Sequence, residues 1–577
     1  MEFPIELVLI ILFAIAGGVL AVRFRQPSVL GLILVGALVG PNALGLIKDT
    51  NLINIAAEVG AVLLLFAIGV EFSMKNFINL GTRGIAIAVV KLGSIILISL
   101  YLALILGLSF ITSLYIGVIL AVTSTVIMIK VLEQKGIANR KEVPLLITVL
   151  IIEDIFSIFV LAFFSSLNTR ADLELVSIIT RLILSLAALL FVYLVLRKIL
   201  RPAINWLIHY SAEDTITFVS LGLLAGMSYL ALVLKLSPAV GAFLAGSIVA
   251  SLPNSDSFKS SIHPFILTFT ALFFFSIGTL VNFSAIHASI ILILIFFFAN
   301  ILLKFVFMGF SSFLFTSFTG RSAVFSGLAM LSVGEFSLLI AKEAQPLNLG
   351  IDLISITAAV IVLSTFAMAF SLPHEETIYR LTTRIIPARV KREVGILSTY
   401  LNNISWQMVA DVASASQRRK ERKAITANLI VILTISCVAF LIWRFSGLQT
   451  SLLSYFVIVL LLSLLPLFNL SRHANKLIRD VSALMKKVNR GEGRHIFRNL
   501  LFLAITFSCF LIYPFIHSSL SLPAIFHSIS LALILIMVWL TLAILKSIHF
   551  IFLGKEKNYA HFSQKYVHLI ESRLKKR

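Results

Sequence analysis

The chain has 577 residues, 59% hydrophobic and 13% charged, with a mean hydropathy of +1.05. Soluble domains carry roughly 25% charged residues, so a water-soluble fold for so many uniformly apolar segments is excluded. The net charge of +21 does not mark a nucleic-acid binder, because the basic residues sit in loops between apolar runs; the two cysteines, Cys437 and Cys509, lie inside such runs and offer no disulfide scaffold.

Met1-Glu2-Phe3-Pro4 leads into an apolar run with no basic stretch and no small-residue cleavage site, so the run reads as a retained first helix. Crossing a hydrocarbon core of roughly 30 Å takes about 20 apolar residues. Thirteen such spans are expected at 4–22, 28–45, 52–72, 82–106, 109–132, 143–167, 174–197, 213–234, 237–253, 264–281, 285–316, 321–342 and 350–372. Four more follow at 424–444, 451–470, 497–516 and 524–552. The fold class is therefore all-α and polytopic.

Loop charge sets the orientation. With the N-terminus outside, the inner loops carry Arg23 and Arg25, Lys75 and Arg83, Lys130 to Lys141, Arg197 to Arg201, Lys259 and Arg321. The outer loops carry only Lys48, Arg170, Lys235 and Lys342, and the C-terminus falls in the cytoplasm of a plasma-membrane protein. Residues 374–423 form a basic, mildly amphipathic cytoplasmic linker, either solvated or lying on anionic lipid. Residues 424–577 make a separate four-helix membrane domain whose loop and tail are basic.

Ionisable groups inside a span are costly and default to a functional reading. Glu153 and Asp154 stand mid-span in Ile151-Ile152-Glu153-Asp154-Ile155-Phe156. Two adjacent carboxylates in an apolar helix cannot both stay ionised, so one is expected to carry protons. A monovalent cation wants oxygen ligands, and a carboxylate that takes a proton or a cation but never both gives exchange by competition. Lys304 is deep in its span and needs a counter-ion; Glu153 is the natural partner and Asp154 the second, with snorkelling as the alternative. Glu335 is also deep, and is expected to salt-bridge or to hold a helix break. Lys91 and Glu213 read as interfacial.

At a constant offset of 210 residues, spans 82–167 and 285–372 align weakly in opposite orientation. Gly117 falls on Gly327, Thr123-Ser124-Thr125 on Val333-Gly334-Glu335, and Asp154 on Ser364. Inverted repeats are the usual architecture of secondary transporters. The aligned triplets are polar, β-branched or glycine and can unwind a helix at mid-membrane, or their hydroxyls can simply bond back to their own helix. A gated channel and a transport-inactive regulator remain as rivals. An enzyme would need catalytic His or Asp clusters in large loops; here the loops are short and the histidines scattered.

Six motifs in order now carry a resemblance. They are Gln26-Pro27-Ser28-Val29 with Val39-Gly40-Pro41-Asn42, Leu63 to Lys75, Thr123-Ser124-Thr125-Val126, Leu236 to Gly246, Phe273 to Gly278, and Gly334-Glu335-Phe336-Ser337. Residues 1–373 resemble the bacterial monovalent cation:proton antiporter-2 family of Na⁺/H⁺ and K⁺/H⁺ antiporters. The resemblance implies a homodimer, a 13-helix antiporter fold with inverted repeats and two broken, crossing helices, and elevator-type alternating access by a mobile core of 82–167 and 285–372. It implies no cofactor, transported Na⁺ or K⁺ and H⁺, and Asp154 as the main cation and proton carboxylate. Glu153, Thr123, Ser124 and Thr125 complete that site, Lys304 is proton-coupled, and Glu335 and Ser364 support it. Glu153 stands where relatives hold Asp or Gln, and Val333 where they hold Arg or Gly. No Gly-x-Gly-x-x-Gly nucleotide domain is found after residue 373.

Overall fold

The computed structural model describes residues 5–71, 82–167 and 213–387, with short gaps at 25, 252–254 and 317, and isolated positions elsewhere. The expected span at 174–197, the four C-terminal spans and most of the linker after 387 lie outside the described residues. The chain divides into two compact units, one of residues 1–313 with 318–383 and one of 314–317 with 384–577. Within the second, Glu421 holds His473 at 2.5 Å and Lys476 at 3.7 Å.

Everything described in the first unit is helical apart from loops. Its helices are α1 (Ile5–Arg23), α2 (Ser28–Val39), α3 (Thr50–Glu71), α4 (Thr82–Ile105), α5 (Phe110–Ala121), α6 (Thr125–Gln134) and α7 (Val143–Leu167). After the gap come α8 (Glu213–Val233), α9 (Pro238–Ala250), α10 (Ser255–Thr279), α11 (Phe283–Ala288), α12 (Ile290–Phe315), α13 (Gly320–Ala329), α14 (Glu335–Glu343), α15 (Leu353–Ser371) and α16 (Glu375–Ile385).

Local chemistry places the helix starts. Ser109 accepts the Thr112 N–H at 3.2 Å to open α5, Thr319 accepts that of Ser322 at 3.3 Å to open α13, and Asp352 accepts that of Ser355 at 3.1 Å to open α15. Pro238 opens α9, where its missing N–H costs nothing.

Among the described residues, five helices are long and apolar enough to cross a membrane: Thr50–Val70, Arg83–Ile105, Val143–Ser165, Ile290–Phe315 and Leu353–Ile385. Six of the other expected spans contain apolar helices of 10–17 residues. Two spans expected at 109–132 and 321–342 are each split into two short helices, α5 with α6 and α13 with α14. The span expected from 264 begins earlier, at Ser255, because its polar first turns extend the helix past its apolar part with Pro264 inside.

The helices sort into two packing groups. In one, α3 packs on α9 and α10, α2 on α1 and α10, and α8 on α9. In the other, α4 packs on α5 and α7, and α14 packs on α5, α7 and α15. Small residues bring backbones close inside the first group, as apolar helices in lipid require. A Cβ on Gly246 would stand 2.2 Å from the Phe66 carbonyl, and one on Gly36 2.3 Å from that of Phe275.

At one end of the second group the loop before α7, the start of α13 and the start of α16 meet. Arg140 bridges Glu142 at 3.2 Å and also Glu375, Arg321 reaches Glu375 at 3.2 Å, and the Arg140 guanidinium lies 3.7 Å over the Phe325 ring. All three segments are ones that loop charge assigns to the same side. Burial would raise the Glu142 carboxyl, but hydrogen bonds from Ser322 and Arg140 outweigh it and hold the group below its usual range.

Candidate ion site

The site forms where the two split helices cross. Helix α5 ends at Ala121 with Val122 extended, and α6 restarts at Thr125 behind an extended Ser124. Helix α13 ends at Ala329, and α14 restarts at Glu335 behind an extended Gly334. The two extended stretches meet in an antiparallel bridge between Thr123 and Val333. Gly334 is required there by close approach, since a Cβ would lie 2.9 Å from the Thr123 carbonyl carbon and oxygen.

A broken helix leaves backbone donors and acceptors without partners, and in a buried site each must be satisfied. Side chains do this here. Lys304, from α12, donates to the carbonyls of Val122 at 2.9 Å and Ser332 at 2.8 Å; Val122 closes the negative end of α5, and Ser332 lies in the break between α13 and α14. The Thr123 N–H donates to Glu153 Oε2 at 3.1 Å, and the Val333 N–H to Ser364 Oγ at 3.1 Å. Ser124 accepts the Ile127 N–H at 3.1 Å as the cap of α6 and donates its own hydroxyl to Glu335 at 2.5 Å.

The expected residues thus converge. Thr125 donates its hydroxyl to Asp154 Oδ2 at 3.2 Å, and Glu335 holds the first break through Ser124. Ser364 serves the second break. Asp154 is 9% exposed, against 0% for Glu153 and 3% for Glu335.

One pairing is corrected. Lys304 does not bridge Glu153. Lys91, from α4, does: its Nζ lies 2.5 Å from Glu153 Oε1 and 2.6 Å from Thr123 Oγ1. The physical reason is that Lys304 is already committed to two carbonyls, while Glu153 faces α4. Lys91 is accordingly not interfacial; it is fully buried. Its depth was in the sequence as arithmetic, since nine residues past Thr82 is about 14 Å along a helix, close to mid-membrane.

Residues 8–374 match the profile of the sodium/hydrogen exchanger transmembrane family. The chain is 31% identical over 354 residues to a Na⁺/H⁺ antiporter of Enterococcus hirae, covering 60% of this chain and 91% of that one. It is 28% identical over 344 residues to the Na⁺/H⁺-K⁺ antiporter GerN of Bacillus cereus, covering 59% and 87%. The glutathione-regulated potassium-efflux protein KefC of Cronobacter sakazakii is 30% identical over 285 residues, with 49% and 46% covered. The solved sodium proton antiporter MjNhaP1 of Methanocaldococcus jannaschii shares the fold with a TM-score of 0.52 at 17% identity, covering 65% of this chain and 98% of that one. The profile match spans well over half of the 577 residues. This chain belongs to the sodium/hydrogen exchanger family.

Proposed function

We propose that the chain is a secondary antiporter that exchanges a monovalent cation, Na⁺ or K⁺, for protons, with Asp154 binding one or the other. The observation that carries this reading is the position of Asp154. It is the most exposed of the three carboxylates at the crossing, and the hydroxyl of Thr125, the first residue of α6, stands beside it. A bound cation would find oxygen ligands there from the carboxylate and the hydroxyl.

The finer architecture has support of its own. Contacts recur at the 210-residue offset. A Cβ on Gly31 would stand 2.0 Å from the Gly17 carbonyl, and one on Gly241 2.1 Å from that of Met227. A Cβ on Gly117 would stand 2.8 Å from the Ile96 carbonyl and one on Gly327 2.7 Å from that of Phe305, a pair of contacts one residue off the same offset. Such recurrence supports an inverted repeat over 1–373, with 82–167 and 285–372 as the mobile core of an elevator and the other group as the dimerisation scaffold. The N-terminus is placed outside and the C-terminus in the cytoplasm by loop charge.

The test is proton movement in proteoliposomes, followed with a pH-sensitive dye under Na⁺, K⁺ and Li⁺ gradients, for the wild type and Asp154→Asn. Exchange lost in Asp154→Asn is expected. Full activity in that variant would overturn the assignment, and cation flux without proton counterflow would favour a channel.

A further inference from the structure

Lys91 is a fully buried ammonium that the exchange reading does not use. Its Nζ donates to Glu153 Oε1 at 2.5 Å and to Thr123 Oγ1 at 2.6 Å. The second oxygen of Glu153 is taken by the Thr123 N–H at 3.1 Å. Glu153 is thereby held at both oxygens and is 0% exposed. For Glu153 to turn to a cation it would abandon the ammonium and the backbone N–H together, and the Thr123 strand would lose its hold on α7.

Lys304 is held as firmly, by two carbonyls whose charge does not change during transport. Among the described residues no ion pair joins it to a carboxylate. Lys91 and Lys304 therefore share the site with three carboxylates, Glu153, Asp154 and Glu335, of which Glu153 is tied to Lys91 and Glu335 to Ser124. When Asp154 takes a proton, or instead a monovalent cation, the site has the same total charge. One proton leaves the Asp154 carboxyl for water on one side, one cation takes its place, and the return stroke reverses this.

We propose that Lys91 is a positioning residue that withdraws Glu153 from ion exchange, so that Asp154 alone exchanges and the chain moves one proton per cation without net charge. This rests on the reading of Asp154 as the exchange carboxylate.

The experiment uses the full chain in liposomes on a solid-supported membrane, recording charge displacement and dye signal together after Na⁺ and K⁺ jumps. Proton movement with no sustained current is expected of the wild type. A current of about one net charge per cycle would overturn the proposal. Lys91→Gln and Glu153→Gln each leave an unpaired buried charge and are expected to slow exchange at least about tenfold. The double variant Lys91→Gln/Glu153→Gln is expected to recover to within about threefold of the wild type, because the pair acts as a unit. In Lys91→Gln the released Glu153 is free to join the exchange, so residual transport is expected to carry a sustained current; a current-free variant would count against the proposal, as would no recovery in a folded double variant. Should Lys91→Gln not fold, the wild-type current and the double variant still decide. Activity in Asp154→Asn sinks the underlying exchange reading instead, which keeps the two failures apart.

Discussion

Thr123 and Val333, 210 residues apart in the chain, are antiparallel bridge partners at the point where both split helices are extended. Gly334 lets the two strands touch, with space for no side chain between its Cα and the Thr123 carbonyl. Gly334→Ala must push backbone against backbone, which costs about 1–3 kcal/mol. A lower melting temperature in detergent and weaker exchange are expected. Gly222→Ala, in α8, has nothing within 4 Å and is the control. It should leave stability equal or raise it by up to about 1 kcal/mol.

Lys304→Met keeps the volume of the side chain and removes its donors. The Val122 and Ser332 carbonyls would then be buried without the ammonium, at about 1–3 kcal/mol each. Thermal unfolding in detergent should show the loss even where no ion gradient is applied.

Ser124→Ala removes a helix cap and a donor to Glu335 in one step. The cap alone is worth about 1 kcal/mol. Amide hydrogen exchange should report it locally, as faster exchange in the first turn of α6.

Thr125→Val preserves shape but deprives Asp154 of a hydroxyl at 3.2 Å. With one oxygen ligand fewer, the cation concentration for half-maximal exchange should rise about fivefold to tenfold. The maximal rate should change less than that. A variant with unaltered cation dependence would place the ion elsewhere.

Glu142 offers a pH-dependent test outside the membrane. Its carboxyl is held below its ordinary range in the fold, so its ionised form stabilises the protein above that range, and the stabilisation fades as pH falls through the folded value. Melting temperatures followed from about pH 5 down to about pH 3 should therefore fall more steeply for the wild type than for Glu142→Gln, with little difference in slope above about pH 5.

The two helix breaks were legible in the sequence, because Thr123-Ser124-Thr125 and Val333-Gly334-Glu335 interrupt otherwise apolar spans with residues that can satisfy an opened backbone. Glu153, Asp154 and Lys304 were legible as charges with no cheap reason to be buried. The partner of Lys304 was not. Carbonyls belong to every residue alike, so a lysine that binds the main chain has no signal in any side chain. Lys91 was missed because its charge was weighed by nearness to a span end instead of by rise along the helix.

The bridge at Val333 uses only main-chain atoms, and its side chain contributes apolar packing at 0% exposure. The geometry of the crossing is thus indifferent to what residue 333 is, so long as it fits. A smaller apolar side chain there, as in Val333→Ala, is therefore expected to leave both the bridge to Thr123 and the bond from the residue 333 N–H to Ser364 in place.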